Sequence, residues 1–161
     1  MMFVSVGTQL PFPRMMAVID EWAAHNSDVK VFAQTADDTL MNYVEAVDYL
    51  SAKAFQGYFS EADVIVSHAG MGNILTALEM EKPIVIFPRK AELNEHRNDH
   101  QVSTAKKFFD HPYVFVVNDI ISFTESLVDI ALLQRSSGVK VVSNTNANLN
   151  KFLLDSVNEW F

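Results

Sequence analysis

Short apolar runs alternate along this chain with longer stretches of helical spacing. Residues 3–6, 29–32, 63–67, 83–87 and 113–117 are β-branched or aromatic and almost continuously hydrophobic, as strands covered on both faces must be. Between the first two, Met15, Ile19 and Trp22 recur at steps of four and three, which predicts a helix over 14–25. Similar spacing predicts helices over 52–59, 72–80, 99–109 and 120–132. Strand following helix following strand is the pattern of a Rossmann-like α/β domain, an open parallel sheet with helices on both faces. Two stretches break the rhythm. Residues 34–44 are polar and irregular, as a loop would be, and residues 136–148 are rich in Ser and Asn, as a linker would be. Beyond that linker, Leu149, Phe152, Leu153, Val157 and Trp160 share one face of a helix expected at about 149–160, which either docks on its own domain or reaches a partner chain.

Composition narrows the classes. A chain of 161 residues, 49% hydrophobic, suits one domain spanning its length with a proper core. Its net charge of −8 speaks against nucleic acid, because phosphate backbones demand clustered Lys and Arg. With 0 Cys, disulfides, thiolate zinc sites and cysteine nucleophiles are excluded. The first residues lack a basic segment and meet Gly and Pro too early for a signal peptide, and no apolar run reaches the ~18–20 residues of a membrane span. The expectation is a cytoplasmic domain that meets membranes only through a partner.

Ligands of open α/β sheets bind at the carboxyl ends of the strands. Four polar turns fall there: Gly7-Thr8-Gln9; the stretch Ser67-His68-Ala69-Gly70-Met71-Gly72-Asn73; Pro88-Arg89-Lys90; and Asn94-Glu95-His96-Arg97-Asn98-Asp99-His100-Gln101. In the second, Gly70 and Gly72 remove side chains just where a helix starts, and a helix N-terminus offers unpaired N–H groups to a diphosphate. Two glycines at such a turn also serve tight geometry alone. No Gly-Lys-Ser/Thr follows, and the third glycine of a dinucleotide fingerprint is missing. Local positive charge comes from Arg89, Lys90 and Arg97, interleaved with Glu92, Glu95 and Asp99; Lys90 and Glu92 fit a solvated loop, while Arg89 follows a strand and a proline and so has a fixed position. His96 and His100 would share a face if their segment were helical, and with His68 they would form the ligand set of a metal-dependent hydrolase, although Arg97 is a poor neighbour for a cation. A Ser67–His68 nucleophilic pair is discounted, since adjacent residues on a strand end point to opposite sides and no Gly-x-Ser-x-Gly elbow is present.

Taken together, Val6-Gly7-Thr8-Gln9 with Pro11-Phe12, the Ser67 to Gly72 turn, Lys82-Pro83, Pro88-Arg89 and the run from Glu95 to Gln101 resemble the C-terminal half of GT-B glycosyltransferases, more closely family 28 C-terminal domains that occur alone. Such domains include the small subunit of the eukaryotic two-chain UDP-N-acetylglucosamine transferase and PssE-type subunits of bacterial exopolysaccharide and capsule assembly. The resemblance covers roughly residues 3–118.

The resemblance implies a donor-binding subunit, active with a second, membrane-associated chain that carries the acceptor site. It implies transfer of a sugar from a UDP-sugar to a lipid-diphosphate-linked saccharide, with inversion and without a metal. Carried onto this chain, Gly70, Met71, Gly72 and Asn73 hold the diphosphate, Gly7 and Thr8 close over it, the strand-end segment around Phe87–Arg89 borders the uracil, and Asp99, His100 and Gln101 face the sugar. Many relatives have a ribose-binding acid where this chain has Thr76, which leaves Glu79 or Glu95 to supply that contact. His68 is the internal candidate for general base, with the partner chain as the other source. The alternatives are a non-catalytic enhancer subunit and the histidine metal hydrolase.

Overall fold

A computed structural model describes residues 1–136. Its strands are β1 (Met2–Ser5), β2 (Val31–Gln34), β3 (Glu45–Val47), β4 (Val64–His68), β5 (Ile84–Phe87) and β6 (Val114–Val116), and its helices α1 (Pro13–His25), α2 (Ala52–Glu61), α3 (Met71–Glu79), α4 (His100–Phe108) and α5 (Ile120–Ser136). All five strand pairs are parallel, in the order β3-β2-β1-β4-β5-β6. The chain therefore winds outward from β1 to one edge, returns through α2, and winds outward again from β4. The order reverses between β1 and β4, and a crevice opens at their carboxyl ends.

The period-two alternation of the strands sorts the core into two layers. Met2, Val4, Val31, Ala33, Val64, Val66, Val85 and Phe87 face α1 and α5, where they meet Met15, Ile19, Trp22, Phe123, Leu127 and Ile130. Phe3, Phe32, Ile65, Ile84, Ile86 and Val114 face the other way, onto Phe59 of α2, Ile74 and Ala77 of α3 and Ala105 of α4. Both faces of the inner strands β1, β2, β4 and β5 are buried, so these strands show no solvent-facing polar side. Trp22 meets Phe123 edge-on at 5.8 Å between ring centroids, which locks α1 to α5. Pro13 opens α1, where the missing N–H costs nothing, and the Ser51 hydroxyl caps α2 by accepting from Ala54 N at 3.2 Å.

Four expectations need correction. β3 was not foreseen, because a three-residue edge strand with an exposed Glu45 carries no apolar run. Its pairing with β2 continues into the segment expected to be a loop, where Thr35 N donates to Val47 O and Ala36 N to Asp48 O. α5 runs to Ser136, past the expected end at 132, and so takes the first residue of the expected linker. Residues 95–99 are not helical; α4 begins only at His100. The rest of the linker and the helix expected at 149–160 lie outside the described residues. Among the described residues no helix is long and apolar enough to cross a membrane.

Candidate functional site

At the β1/β4 reversal lies a cleft of about 320 Å³, lined by the turn after β1 (Gly7, Thr8, Gln9, Leu10), the start of α3 (Gly70, Gly72, Asn73), and His68, Arg89, His96 and Gln101. Gln34 and Phe55 complete its wall on the β2 and α2 side. Among the described residues no Asp or Glu lines it, in a chain that has 20 of them. Three basic side chains do.

Each wall is fixed by side chains at strand ends. The Arg89 guanidinium, 3% exposed, donates to the carbonyls of Val6 (3.1 Å), Leu10 (2.6 Å), Pro11 (2.7 Å) and Glu95 (3.4 Å). It also lies over the Phe12 ring, 4.3 Å from the centroid. Arg89 thus ties the β1–α1 turn to the segment before α4, and it brings positive charge to the cleft floor while its N–H groups serve the scaffold. Gln34, buried at the end of β2, donates from Nε2 to Gly7 O at 3.1 Å and accepts from Leu50 N at 3.0 Å. It closed an apolar run at a strand end, which was the one signal available for it. The Gln101 Oε1 accepts from Arg89 N at 3.1 Å, which orients its amide nitrogen as the group it can offer a ligand.

His68 ends β4 and explains two glycines. A Cβ on Gly70 would stand 2.3 Å from His68 Nε2, and one on Gly7 would stand 2.8 Å from Cε1. Gly7 also holds φ at +91°, which side chains rarely adopt. The imidazole is therefore slotted between the two turns, so the missing side chain of Gly70 serves the histidine rather than a ligand. A Cβ on Gly72, by contrast, would meet nothing within 4 Å. Burial, and after it the charge of Arg89, pushes the His68 imidazole down to about 4, against the opposing pull of Ser5. A base so weak, with its ring edges packed on glycines, is poorly matched to general-base work.

Ser67 and His68 do not point apart as the sequence suggested. The strand ends at His68, and its ring turns back to bring Nδ1 within 3.3 Å of Ser67 Oγ. The nucleophile reading still fails, because Ser67 is wholly buried, donates to Ser5 O (3.1 Å) and accepts from Asn73 Nδ2 (2.7 Å). That chain of bonds pins the first turn of α3 to the sheet. The α3 amides of Met71, Gly72 and Asn73 precede its first i→i−4 bond, Ile74 N to Gly70 O, and mark the positive end of the helix dipole beside the cleft.

Other candidates are not brought together. Glu95 is held by Arg14 in a two-point pair (Nε–Oε1 2.6 Å, Nη2–Oε2 2.9 Å) and also accepts from Lys90 N at 2.9 Å. Burial would raise its proton affinity, but the Arg14 and Lys90 bonds, with the charges of Arg14 and Arg89, outweigh it and hold the carboxyl below its usual value. Glu95 is thus a clasp of α1 to the β5–α4 segment, outside the cleft lining. Asp99 accepts from Ala91 N at 2.9 Å and is exposed, as is His100; neither lines the cleft, nor does Met71. Thr76 donates to Gly72 O within its own helix at 2.9 Å, and Glu79 is exposed at the far end of α3. Residues 95–99 are not helical, so the condition for His96 and His100 to share a face is not met, and among the described residues no group of three or more His, Asp or Glu is placed to hold a metal ion.

Comparison with known proteins bears on this geometry. The family model of the glycosyltransferase family 28 C-terminal domain matches residues 1–131. The chain is 38% identical over 42 residues to the UDP-N-acetylglucosamine transferase subunit ALG13 of Debaryomyces hansenii, a match covering 26% of this chain and 20% of that protein. It is 33% identical over 66 residues to the subunit of the same name from Cryptococcus neoformans, covering 40% and 31% respectively. The matches therefore span between a fifth and a third of these relatives. Among solved structures, the glycotransferase of kitacinnamycin aligns with a TM-score of 0.62 at 21% identity, over 97% of this chain and 39% of that one. The solution structure of ALG13 aligns with a TM-score of 0.52 at 20% identity, over 98% and 96%. At these identities the structures speak for the fold, the C-terminal half of GT-B, and the family model covers most of the sequence: this chain belongs to the glycosyltransferase family 28 C-terminal domain family.

Proposed function

We propose that the chain is the donor-binding subunit of a two-chain inverting glycosyltransferase, which moves a hexosyl unit from a UDP-sugar to a lipid-diphosphate-linked saccharide. The observation that carries this reading is a cleft that no carboxylate of the described residues lines, in a strongly acidic chain, set at the N-terminus of α3 and floored by Arg89. In the reaction the acceptor hydroxyl attacks C1 of the sugar from the face opposite UDP. The C1–O bond breaks, its electron pair stays on the diphosphate, and the hydroxyl proton passes to a base. The α3 amides and the Arg89 charge are already in place to stabilise the negative charge that grows on the leaving diphosphate, so the chain needs no metal for that step. Met71, Gly72 and Asn73 hold the diphosphate, Gly7 and Thr8 close over it, and Gln101 offers its amide to the sugar.

The low proton affinity and enclosed ring of His68 favour a base on a second, membrane-associated chain that also carries the acceptor site. The resemblance to stand-alone PssE-type subunits supports exopolysaccharide or capsule assembly at the cytoplasmic face of a membrane as the setting. Titration of the chain with UDP in EDTA, followed by calorimetry, tests the donor site. Saturable binding is expected, weakened at least about tenfold in Gly72→Asp, because a carboxylate in the first turn of α3 occupies the anion site. That variant keeps its fold, since a Cβ there meets open space and acids suit a helix N-terminus. Equal affinity in Gly72→Asp would overturn the placement. Transfer by the reconstituted complex that survived Gly72→Asp would put the donor site in the other chain.

A further inference from the structure

Of the three basic side chains in the cleft, two are immobilised by the scaffold. Arg89 is committed to four carbonyls, and His68 is wedged between Gly7 and Gly70 with its Nδ1 against Ser67. His96 differs. Its Nδ1 faces Asn98 O at 3.2 Å and Asn98 Oδ1 at 3.1 Å. The second oxygen also accepts from His100 N at 3.2 Å, which fixes the Asn98 amide with its oxygen inward. Two acceptors on Nδ1 require that nitrogen to carry the proton, so Nε2 is the atom left to act in the cleft. Unprotonated, Nε2 presents a lone pair, which repels phosphate oxygens. Protonated, it presents a charge-assisted N–H.

We infer that His96 is the proton-linked anchor of the cleft, whose Nε2–H grips a diphosphate diester when the ring is an imidazolium and releases it when the ring is neutral. The inference rests on the donor-site reading and adds its regulation by pH. The charged groups around His96 leave this role to it. From β4 comes His68, whose imidazole is pushed down to about 4 and so carries no charge near neutrality, and from the end of β5 comes Arg89, whose charge favours an anion in the cleft. From α1 comes Arg14, whose charge is paired with Glu95. In its own segment Arg97 and Asp99 are exposed, with Asp99 bonded to Ala91 N, and Lys90 and His100 lie outside the cleft lining. Among the described residues no carboxylate lines the cleft to compete with the ligand for the imidazolium.

The probe is UDP-N-acetylglucosamine, whose diphosphate diester has no proton to gain or lose near neutrality, so any pH dependence belongs to the protein. Calorimetric titration of the whole chain between about pH 6 and pH 8.5, at constant ionic strength, is expected to show affinity falling on the order of tenfold as pH rises. His96→Gln is expected to bind at the weaker level throughout, with the slope gone. By linkage, the NMR titration midpoint of the His96 ring in the wild-type chain is expected to move up when the probe is bound, a readout that does not depend on how the variant folds. Binding with no pH slope, a slope that persists in His96→Gln, or an unmoved His96 midpoint would overturn the inference and leave the donor site standing. Absence of binding at every pH would overturn both.

Discussion

If His68 is the reason that Gly7 and Gly70 lack side chains, the glycines and the histidine must be energetically coupled, and differently at the two positions. In Gly70→Ala the new Cβ stands 2.3 Å from Nε2, 2.8 Å from Cε1 and 3.0 Å from Cδ2 of the ring, well inside contact distance. Overpacking of this kind costs about 1–3 kcal/mol, to which loss of glycine at the α3 N-cap adds less than about 1 kcal/mol. Gly70 itself sits at φ −83° and ψ 129°, a conformation alanine adopts freely, so the clash is nearly the whole cost. In a His68→Ala background the ring is gone, and Gly70→Ala is expected to cost only the cap term. The coupling energy is then the clash itself, about 1–3 kcal/mol. Gly7→Ala behaves otherwise: its Cβ also meets the ring, at 2.8 Å, but φ of +91° strains alanine with or without the histidine. Removing His68 should rescue Gly7→Ala only in part, leaving about 1–2 kcal/mol. Urea denaturation of the two cycles measures both quantities. A Gly70–His68 coupling within about 0.5 kcal/mol of zero, the limit of additivity for independent sites, would refute the slot, as would complete rescue of Gly7→Ala. The single Gly70→Ala variant should also lose UDP affinity, because a ring leaving its slot moves into the cleft.

Further expectations concern the clasps around the cleft. Arg89→Met deprives the buried Val6 carbonyl and the partly buried Leu10 and Pro11 bonds of their donor, and at about 1–3 kcal/mol for the buried group and less for the others, which water can reach, it should lower unfolding free energy by about 2–3 kcal/mol in chemical denaturation. Stability should also fall as pH drops from 6.5 toward 4. The unfolded histidine takes up a proton in that window and His68 does not, so the native state binds fewer protons and loses about 3 kcal/mol by the lower end. His68→Gln should flatten that slope of denaturation midpoint against pH. Below it Glu95 adds to the loss, since a carboxyl held below its usual value stabilises the fold only while it is ionised. The Arg14→Met and Glu95→Gln cycle should give a coupling of about 1–2 kcal/mol, the value of a partly buried two-point pair; a coupling near zero would show that the clasp does not contribute.

What the sequence disclosed about the fold follows from where its energy lies. Strands buried on both faces must be apolar throughout, so β1, β2, β4, β5 and β6 announced themselves, and their alternation with amphipathic helices implied the parallel sheet. β3 stayed hidden because an edge strand is held by one ladder of backbone bonds and needs few apolar side chains. The non-helical path of residues 95–99 was equally hidden. It is set by bonds between distant residues, Glu95 with Arg14 and Asp99 with Ala91, which no local spacing reports.

The site was legible by position more than by chemistry. The strand-end rule located the turns at Gly7, Gly70 and Arg89 correctly, and all three line one cleft. Their jobs differ from those that composition suggests. Gly70 makes room for a histidine, Arg89 holds four carbonyls, and Glu95 neutralises an arginine of α1. The cationic character of the cleft nevertheless survives these structural duties. Hydrogen bonds from a guanidinium to neutral carbonyls do not cancel its charge, and turning Glu95 away to Arg14 removes the nearest compensating carboxylate from the wall. A phosphate arriving there would meet the field of Arg89 without needing its N–H groups, and would find its direct donors in the α3 amides and on His96. Under the proposed donor site, scaffold and ligand would use the same arginine in two ways, through short-range bonds in one case and longer-range charge in the other. On that proposal, a motif can bind phosphate even though some of its residues make only internal contacts.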